Sequence, residues 1–555
     1  MARLSSLSIR NFRSIEAPTR VMFPLNTGVA LFGENNTGKS NIVKALNLVL
    51  GPSWPSNYDP EDHEFFNRDR NREIVISAQF DAADPLGGRY TELTWRFDPT
   101  TGEPSYLGWP HPYGRPGGGF VSGDDRDTCV CIALEAERNL KYQLSYGSKY
   151  TLLSKLMHKF HKLLNERDDT RDELEALFAE IKTKFSEIPE FAEFTAHLKT
   201  HLGDFIGSMT HHLEVDFEAY NPTNFFHALR LSAQEDGAAR TLDEMGTGEE
   251  QILAMSFAYA YANAFHGGIV LVVEEPEAHL HPLAQQWLAR KLAIMCQSGL
   301  QMLITTHSPH FIDLMALEGL TLVYKAGSAT RIRQLTPTLF AQKCIELGAP
   351  PERVNPANIL PFYRASATPQ VLEGLFAKLV ILVEGPTEAL SLPVYLDRCG
   401  FDHSKNGVAI VPVHGKGSLG KWKRLFAAFG IPVFLVFDND AHEDQAATKR
   451  LDALASMGVA PEQAIALAEA TDWIVGDQFA LFGSDFETVL RATFEEYSLL
   501  EAEARAQGMD AKPFVARWVA ERLPLGEADP RSGPFREIIS RLQSLLASLA
   551  GVPAA

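Results

Sequence analysis

Apolar residues fall along this chain in two rhythms, strict alternation and helical spacing, and their order predicts an α/β fold. Met1 to Ile9 alternates and Leu7 to Ile15 runs into a basic-aromatic turn at Phe12-Arg13, so the chain opens on a strand. Glu73 to Phe80 and Thr91 to Phe97 alternate again. Other runs are apolar throughout: Val29-Ala30-Leu31, Ile269 to Val273, Met302 to Ile304, Leu379 to Val383 and Ile431 to Phe437, the last interrupted by Pro432. Such runs suit parallel strands buried on both faces. Helical spacing appears in Ile42 to Leu46, in Leu152, Leu153, Leu156, Met157 and Phe160, again in Asp172 to Phe178, and through Ile252, Met255, Ala258 and Tyr259. The charged faces between Tyr150 and Phe205 predict an exposed helical arm inserted into the first domain, suited to a dimer contact. Gly102 to Gly123, rich in Gly and Pro, reads as loop.

The chemistry sits at the ends of the apolar runs. After Val29-Ala30-Leu31 comes Gly33-Glu34-Asn35-Asn36-Thr37-Gly38-Lys39-Ser40-Asn41, a G-x-x-x-x-G-K-S loop followed by a helix. Its glycines let backbone N–H groups of Asn35, Asn36, Thr37 and Gly38 close on phosphate oxygens at a helix N-terminus, and Asn41 is expected among the nucleotide contacts. Lys39 reaches the outer phosphates and the Ser40 hydroxyl ligates Mg²⁺. Ile269 to Val273 ends in Glu274-Glu275-Pro276-Glu277, and Met302 to Ile304 ends in Thr305-Thr306-His307-Ser308. Adjacent carboxylates at a buried strand tip are costly unless a cation or a polar reaction centre accepts them. Met245-Gly246-Thr247-Gly248 opens the helix just before, which by itself is equally a plain N-cap. His279 and His281 read either as a metal pair or as a turn facing a partner subunit, and the missing further ligands favour the turn.

The second half repeats the device. Leu379 to Val383 ends in Glu384-Gly385-Pro386-Thr387-Glu388, a pattern that by default is a capped helix start. Ile431 to Phe437 ends in Asp438-Asn439-Asp440, where strand alternation puts both aspartates on one side. Four carboxylates on two such tips repel unless cations join them, and hard oxygen donors suit Mg²⁺ or Mn²⁺. Between them His414 to Arg424 gathers Lys416, Lys421, Lys423 and Arg424 around glycines and Trp422. This is either a path for a phosphate backbone or a solvated basic helix face.

Composition narrows the options. At 555 residues the chain holds about three domains. A net charge of −19 excludes a generic polyanion-coating protein, so any nucleic-acid contact is local. Scattered cysteines, no signal peptide and no long apolar run predict a cytoplasmic protein without membrane contact.

In this order the first 340 residues or so resemble the ATP-binding cassette ATPases, in the soluble branch with RecF and the SMC proteins. The resemblance implies that Glu274 supports Mg²⁺ through water, Glu275 positions the attacking water and His307 senses the γ-phosphate. It further implies that Gly246 and Gly248 form a signature loop closing on ATP bound to the other subunit of a dimer. Glu274 stands where the wider family has Asp, and the signature lacks its usual Ser, which points to slow hydrolysis with ATP as a gate. The glutamine loop is either Gln79 or the Asp62 to Phe66 stretch. Residues 376–555 resemble a Toprim domain. The combination resembles the OLD (overcoming lysogenization defect) nucleases, including the nuclease subunit of Gabija phage-defence systems. That resemblance adds a later acidic motif, matched by Asp485 and Glu487, and a lysine, matched by Lys512. The expected fold is an ATP-binding cassette domain of residues 1–149 and 211–370, with a helical insertion at 150–210 and an α/β Toprim domain at 371–555. The expected activity is ATP-gated hydrolysis of double-stranded DNA by two divalent ions. Glu384, Asp438 and Asp440 hold one ion; Glu388 with Asp485 or Glu487 holds the other; Lys512 steadies the transition state. A homodimer or larger homo-oligomer and a co-encoded helicase-like partner are the expected company. An SMC-like DNA clamp with a non-catalytic Toprim is the alternative.

Overall fold

The computed structural model describes residues 2–111, 113–134, 268–357, 359–440, 447–470 and 472–550, with short pieces between 189 and 260. Most of the expected arm at 150–210 lies outside the described residues. The chain divides into two compact units. One comprises Met1–Phe32, Asn36–Phe311 and Ala329–Ile332, and the other Gly33–Asn35, Ile312–Ser328 and Arg333–Ala555.

In the first unit Leu4–Arg10 pairs antiparallel with Thr19–Met22 on one side and Ile74–Phe80 on the other, and Glu92–Asp98 and Glu103–Trp109 continue the sheet. Glu103–Trp109 lies inside the stretch expected to be loop. It is the edge strand, where Pro104 breaks no inner ladder, and it earns its place through Tyr106, whose buried ring places its hydroxyl 3.0 Å from Val49 O. A second, parallel set runs Cys129–Leu134, Gly268–Glu274, Gln301–Thr305, Val29–Phe32. The last three are the apolar runs of the first half, all buried as their composition demands. Helix Lys39–Leu50 follows the nucleotide loop and buries Ile42, Val43, Leu46, Val49 and Leu50.

The second unit holds a five-stranded sheet in the order Val408–Pro412, Leu379–Val383, Val433–Asp438, Phe479–Phe482, Ile474–Val475. The first four are parallel and the last is antiparallel. From Leu379–Val383 the chain crosses to one side, then returns to the other, so the crossover direction reverses between Leu379–Val383 and Val433–Asp438. In open α/β sheets the crevice at such a reversal, beyond the carboxyl ends of the strands, is where ligands bind. The register sets Val383 beside Val436 and Asp438 beside Phe482. Glu384, Asp438 and the Asp485–Glu487 segment therefore leave the sheet at one edge. Among the described residues no helix is long and apolar enough to cross a membrane.

Candidate active sites

At the nucleotide loop Gly33 and Gly38 take φ of 134° and 109°, and a Cβ on Gly38 would stand 2.3 Å from Thr330 Oγ1. Only glycine fits there. The loop is braced from the side. Thr330 Oγ1 donates to Thr37 O at 2.6 Å and lies 2.7 Å from Ser14 Oγ, which accepts from Asn41 Nδ2 at 2.7 Å. Asn41, expected among the nucleotide contacts, thus turns its carboxamide to Ser14. Ser40 follows at the positive end of the helix dipole.

Glu274 closes its strand. Glu275 takes φ 46°, in the left-handed region, and its N–H donates to Thr305 O at 2.9 Å. Burial, then the Lys39 ammonium, pushes the His307 imidazole below its ordinary value, against an opposing pull from Glu275. Both Lys39 and Glu275 thus act on the His307 imidazole, whose neutral form the surroundings favour. Gly246 and Gly248 lie outside the described residues.

In the second unit the acids gather as the strand order requires. Burial pushes the Asp438 carboxyl well above the carboxylate range, and Glu388, Glu384, Glu487 and Asp440 all push the same way. Burial also raises Glu384, Glu388 and Glu487. Asp438 Oδ1 accepts the Phe486 N–H at 2.9 Å, and Glu388 Oε2 accepts the Gly385 N–H at 3.0 Å. Lys416 bonds Asp440 Oδ2 and stands 3.6 Å from Glu384 Oε2, while Lys512 Nζ stands 2.9 Å from Glu487 Oε2. Glu384 Oε2 and both oxygens of Glu487 are buried without an aligned hydrogen-bond donor. Buried carboxylates in mutual repulsion, balanced only in part by the two lysines, are hard oxygen donors that fit divalent cations. Among the described residues, however, no three His, Cys, Asp or Glu side chains already converge as ligands.

Residues 375–440 match the sequence profile described as "Overcoming lysogenization defect protein-like, TOPRIM domain", and residues 3–94 and 129–312 match an AAA ATPase domain. The chain thus carries an AAA ATPase domain and an OLD-like TOPRIM domain. It is 26% identical to "OLD nuclease" of Thermus scotoductus over 79% of this chain and 82% of that protein. It is 24% identical to "Old nuclease" of Escherichia phage P2 (82% and 80%) and 20% to "Endonuclease GajA" of Bacillus cereus (74% and 71%). A solved SMC head bound to the C-terminal winged helix of ScpA aligns at 17% identity over 60% of this chain and 97% of that one, with a TM-score of 0.43.

The structure changes several of the expectations drawn from the sequence. Asp440 is not placed by strand alternation: the strand stops at Asp438, and Asp440 follows at φ 41°. Its N–H donates to Ser484 O at 2.9 Å, and its O accepts from Arg450 at 2.7 Å. Asn439 between them is fully buried against carbonyls at the end of helix Pro461–Ala468. Of the four cations in the basic stretch only Lys421 is exposed, its ammonium 3.9 Å from the centre of the Phe362 ring. Lys416, Trp422, Lys423 and Arg424 are buried; Lys423 donates to Ser456 O, and Arg424 to Leu347 O and Asp452. Asp485 caps helix Phe486–Thr493, its two oxygens accepting from Thr488 N and Oγ1 at 2.9 and 2.7 Å. Burial pushes the Asp485 carboxyl up, but these two bonds outweigh it and leave the group below its ordinary value. His281 caps helix Pro282–Gln297 through Nδ1, and Gln79 accepts from Ser6 and Arg20 within its sheet. Two residues escaped the sequence reading. Glu277 was visible in E-E-P-E, but nothing marked it as an acceptor for the His307 turn. Lys416 was visible only as one cation among several.

Proposed function

We propose that the protein is an ATP-gated, metal-dependent DNA endonuclease that works as a homodimer or larger homo-oligomer in the cytoplasm, in defence against phage. The observation that carries the reading is the Toprim cluster: acids from separate strand tips press on Asp438, while the half-buried Glu384 and the buried Glu487 are ion-paired to Lys416 and Lys512. The names of the relatives support a nuclease.

Two Mg²⁺ or Mn²⁺ ions bound there supply an activated water and neutralise the leaving oxygen of a phosphodiester in double-stranded DNA. Glu384, Asp438 and Asp440 hold one position. Glu388 and Glu487 hold the other, with Asp485 fixing the helix that carries Glu487. Lys512 offsets charge that builds on the phosphate. In the ATPase unit Lys39 binds the outer phosphates, and Ser40 and Glu274 hold Mg²⁺. Glu275 orients water, His307 reads the terminal phosphate, and Gly246 and Gly248 meet the nucleotide of the other subunit. A co-encoded helicase-like protein is a further candidate partner.

Supercoiled plasmid incubated with the protein and Mg²⁺ or Mn²⁺ tests this: nicking is expected, and Glu384→Ala and Asp438→Ala should abolish it. Nicking that persists in both variants sinks the reading. The unconverged acids favour one second reading, a DNA clamp whose Toprim is non-catalytic. Plasmid retention without any nicking would support it.

A further inference from the structure

Lys416 opens helix Lys416–Ala428 after a sharp turn in which His414 and Gly415 take φ of 56° and 120°. Main-chain bonds tie that turn to the first carboxylate strand: Val413 N–H to Val383 O at 3.0 Å and Gly415 N–H to Glu384 O at 2.9 Å. The backbone therefore fixes where the lysine side chain emerges. Its side chain is 4% exposed, and its ammonium touches carboxylates from two different strand tips, Asp440 and Glu384. A residue paired so deeply is strongly felt when its partner changes, because a buried ion left alone is costly.

We infer that Lys416 is a stand-in cation. It occupies the space between Glu384 and Asp440 until a divalent ion enters, competes with that ion for both carboxylates, and swings out when the ion binds. The inference rests on the metal-binding reading of these acids given above. It accounts for two observations together. Among the described residues the acids form no ready ligand set, and the position between Glu384 and Asp440 is held by an ammonium that pairs with both. Glu384 Oε2 still lacks an aligned donor, so the lysine fills the position without saturating it. Lys423, on the same helix, differs. It donates to a neutral carbonyl, Ser456 O, and is an ordinary structural lysine. Lys416 is thus a positioning residue whose departure sets the threshold for loading.

The test titrates MnCl₂ calorimetrically into the nucleotide-free protein and into Lys416→Met. In parallel, wild-type amines are acetylated with and without Mn²⁺, and Lys416 is read by mass spectrometry; Asp438→Asn controls for Mn²⁺ bound elsewhere. The expected result is Mn²⁺ affinity at least about tenfold higher in Lys416→Met, since competition is gone. Lys416 should pass from protected to acetylated as Mn²⁺ saturates wild type, but not in Asp438→Asn. Equal or weaker affinity in folded Lys416→Met, or labelling that ignores Mn²⁺, overturns the inference, and the labelling alone decides if the variant does not fold. Wild type that binds no Mn²⁺ removes the metal-site reading as well, an outcome distinct from the other two.

Discussion

One oxygen of Glu277 accepts the main-chain N–H of His307 at 2.5 Å while the other accepts the Thr306 hydroxyl at 3.0 Å. Burial pushes the Glu277 carboxyl up, and these bonds are what keep a buried acid satisfied. The carboxylate beside the Glu274-Glu275 pair thus holds the backbone from which the imidazole projects. Glu277→Ala should leave ATP binding nearly intact and lower ATP turnover about a hundredfold, the scale of a small misplacement at a reacting centre. Glu277→Gln keeps an acceptor for the N–H and should recover most of it. Steady-state ATPase beside a nucleotide-binding titration reads both; normal turnover in Glu277→Ala detaches Glu277 from the site.

Glu275 sits in the left-handed region at the strand tip, next to Lys39 and His307 in the electrostatics of the site. Such a backbone is maintained only where the surroundings over-determine it. Glu275→Gln preserves shape and removes charge, so it should bind ATP as wild type does and lose turnover by roughly 10²–10⁴-fold. Undiminished ATPase would take Glu275 out of its role.

Lys423 gives a pH signature distinct from the metal site. Burial, with Arg424 adding to it, pushes its ammonium from 10.5 down to about 8. Below about 8 the folded protein carries a charge it disfavours. As pH rises from there toward 10.5 the folded lysine sheds its proton while the unfolded chain keeps it, so the penalty fades. Lys423→Met removes that penalty at the loss of the bond to Ser456 O. The net effect near neutrality is a gain on the order of 1 kcal/mol, the difference between a shift worth about 3 and a lost hydrogen bond worth about 2. Thermal melts across pH should show the advantage of Lys423→Met shrinking over this window; an advantage independent of pH contradicts the assignment.

How far the sequence could be read follows from where each residue finds its partners. Leu379 to Val383 and Ile269 to Val273 are legible because a strand buried on both faces must be apolar throughout, and an acid at its end stands out. The gathering of Glu384, Glu388 and Asp438 follows from strand order and the two motifs, whereas Glu487 entered only through the family resemblance, beside Asp485. The direction of Asp440 could not, because a left-handed residue past the strand end obeys no alternation. Nor could the fate of the basic stretch. Lys416, Lys423 and Arg424 are matched by Asp440, Ser456, Leu347 and Asp452, which lie far along the chain, and composition does not tell a paired cation from a free one. Glu103–Trp109 was missed for a related reason: its Pro and Gly signal a loop, while the burial of Tyr106 against the helix end at Val49 decides for a strand.

The neighbours Asp485 and Glu487 were equivalent in the sequence, and the structure gives them opposite surroundings. Both oxygens of Asp485 accept from Thr488, whereas Glu487 is buried and its Oε2 is ion-paired with the Lys512 ammonium at 2.9 Å. Asp485→Ala should therefore cost stability, about 0.5–2 kcal/mol as for a lost N-cap, and leave metal-dependent plasmid nicking largely in place. Glu487→Gln should do the reverse. It neutralises an acid that burial already disfavours, so the metal-free protein should be no less stable, yet nicking should fall below detection because an amide is a far poorer ligand for a hard divalent ion. Melting curves of the two metal-free variants beside a plasmid assay with Mn²⁺ separate the effects. If instead Asp485→Ala stays folded and stops nicking while Glu487→Gln nicks normally, the aspartate is the ligand and the cap geometry must open when the ion binds.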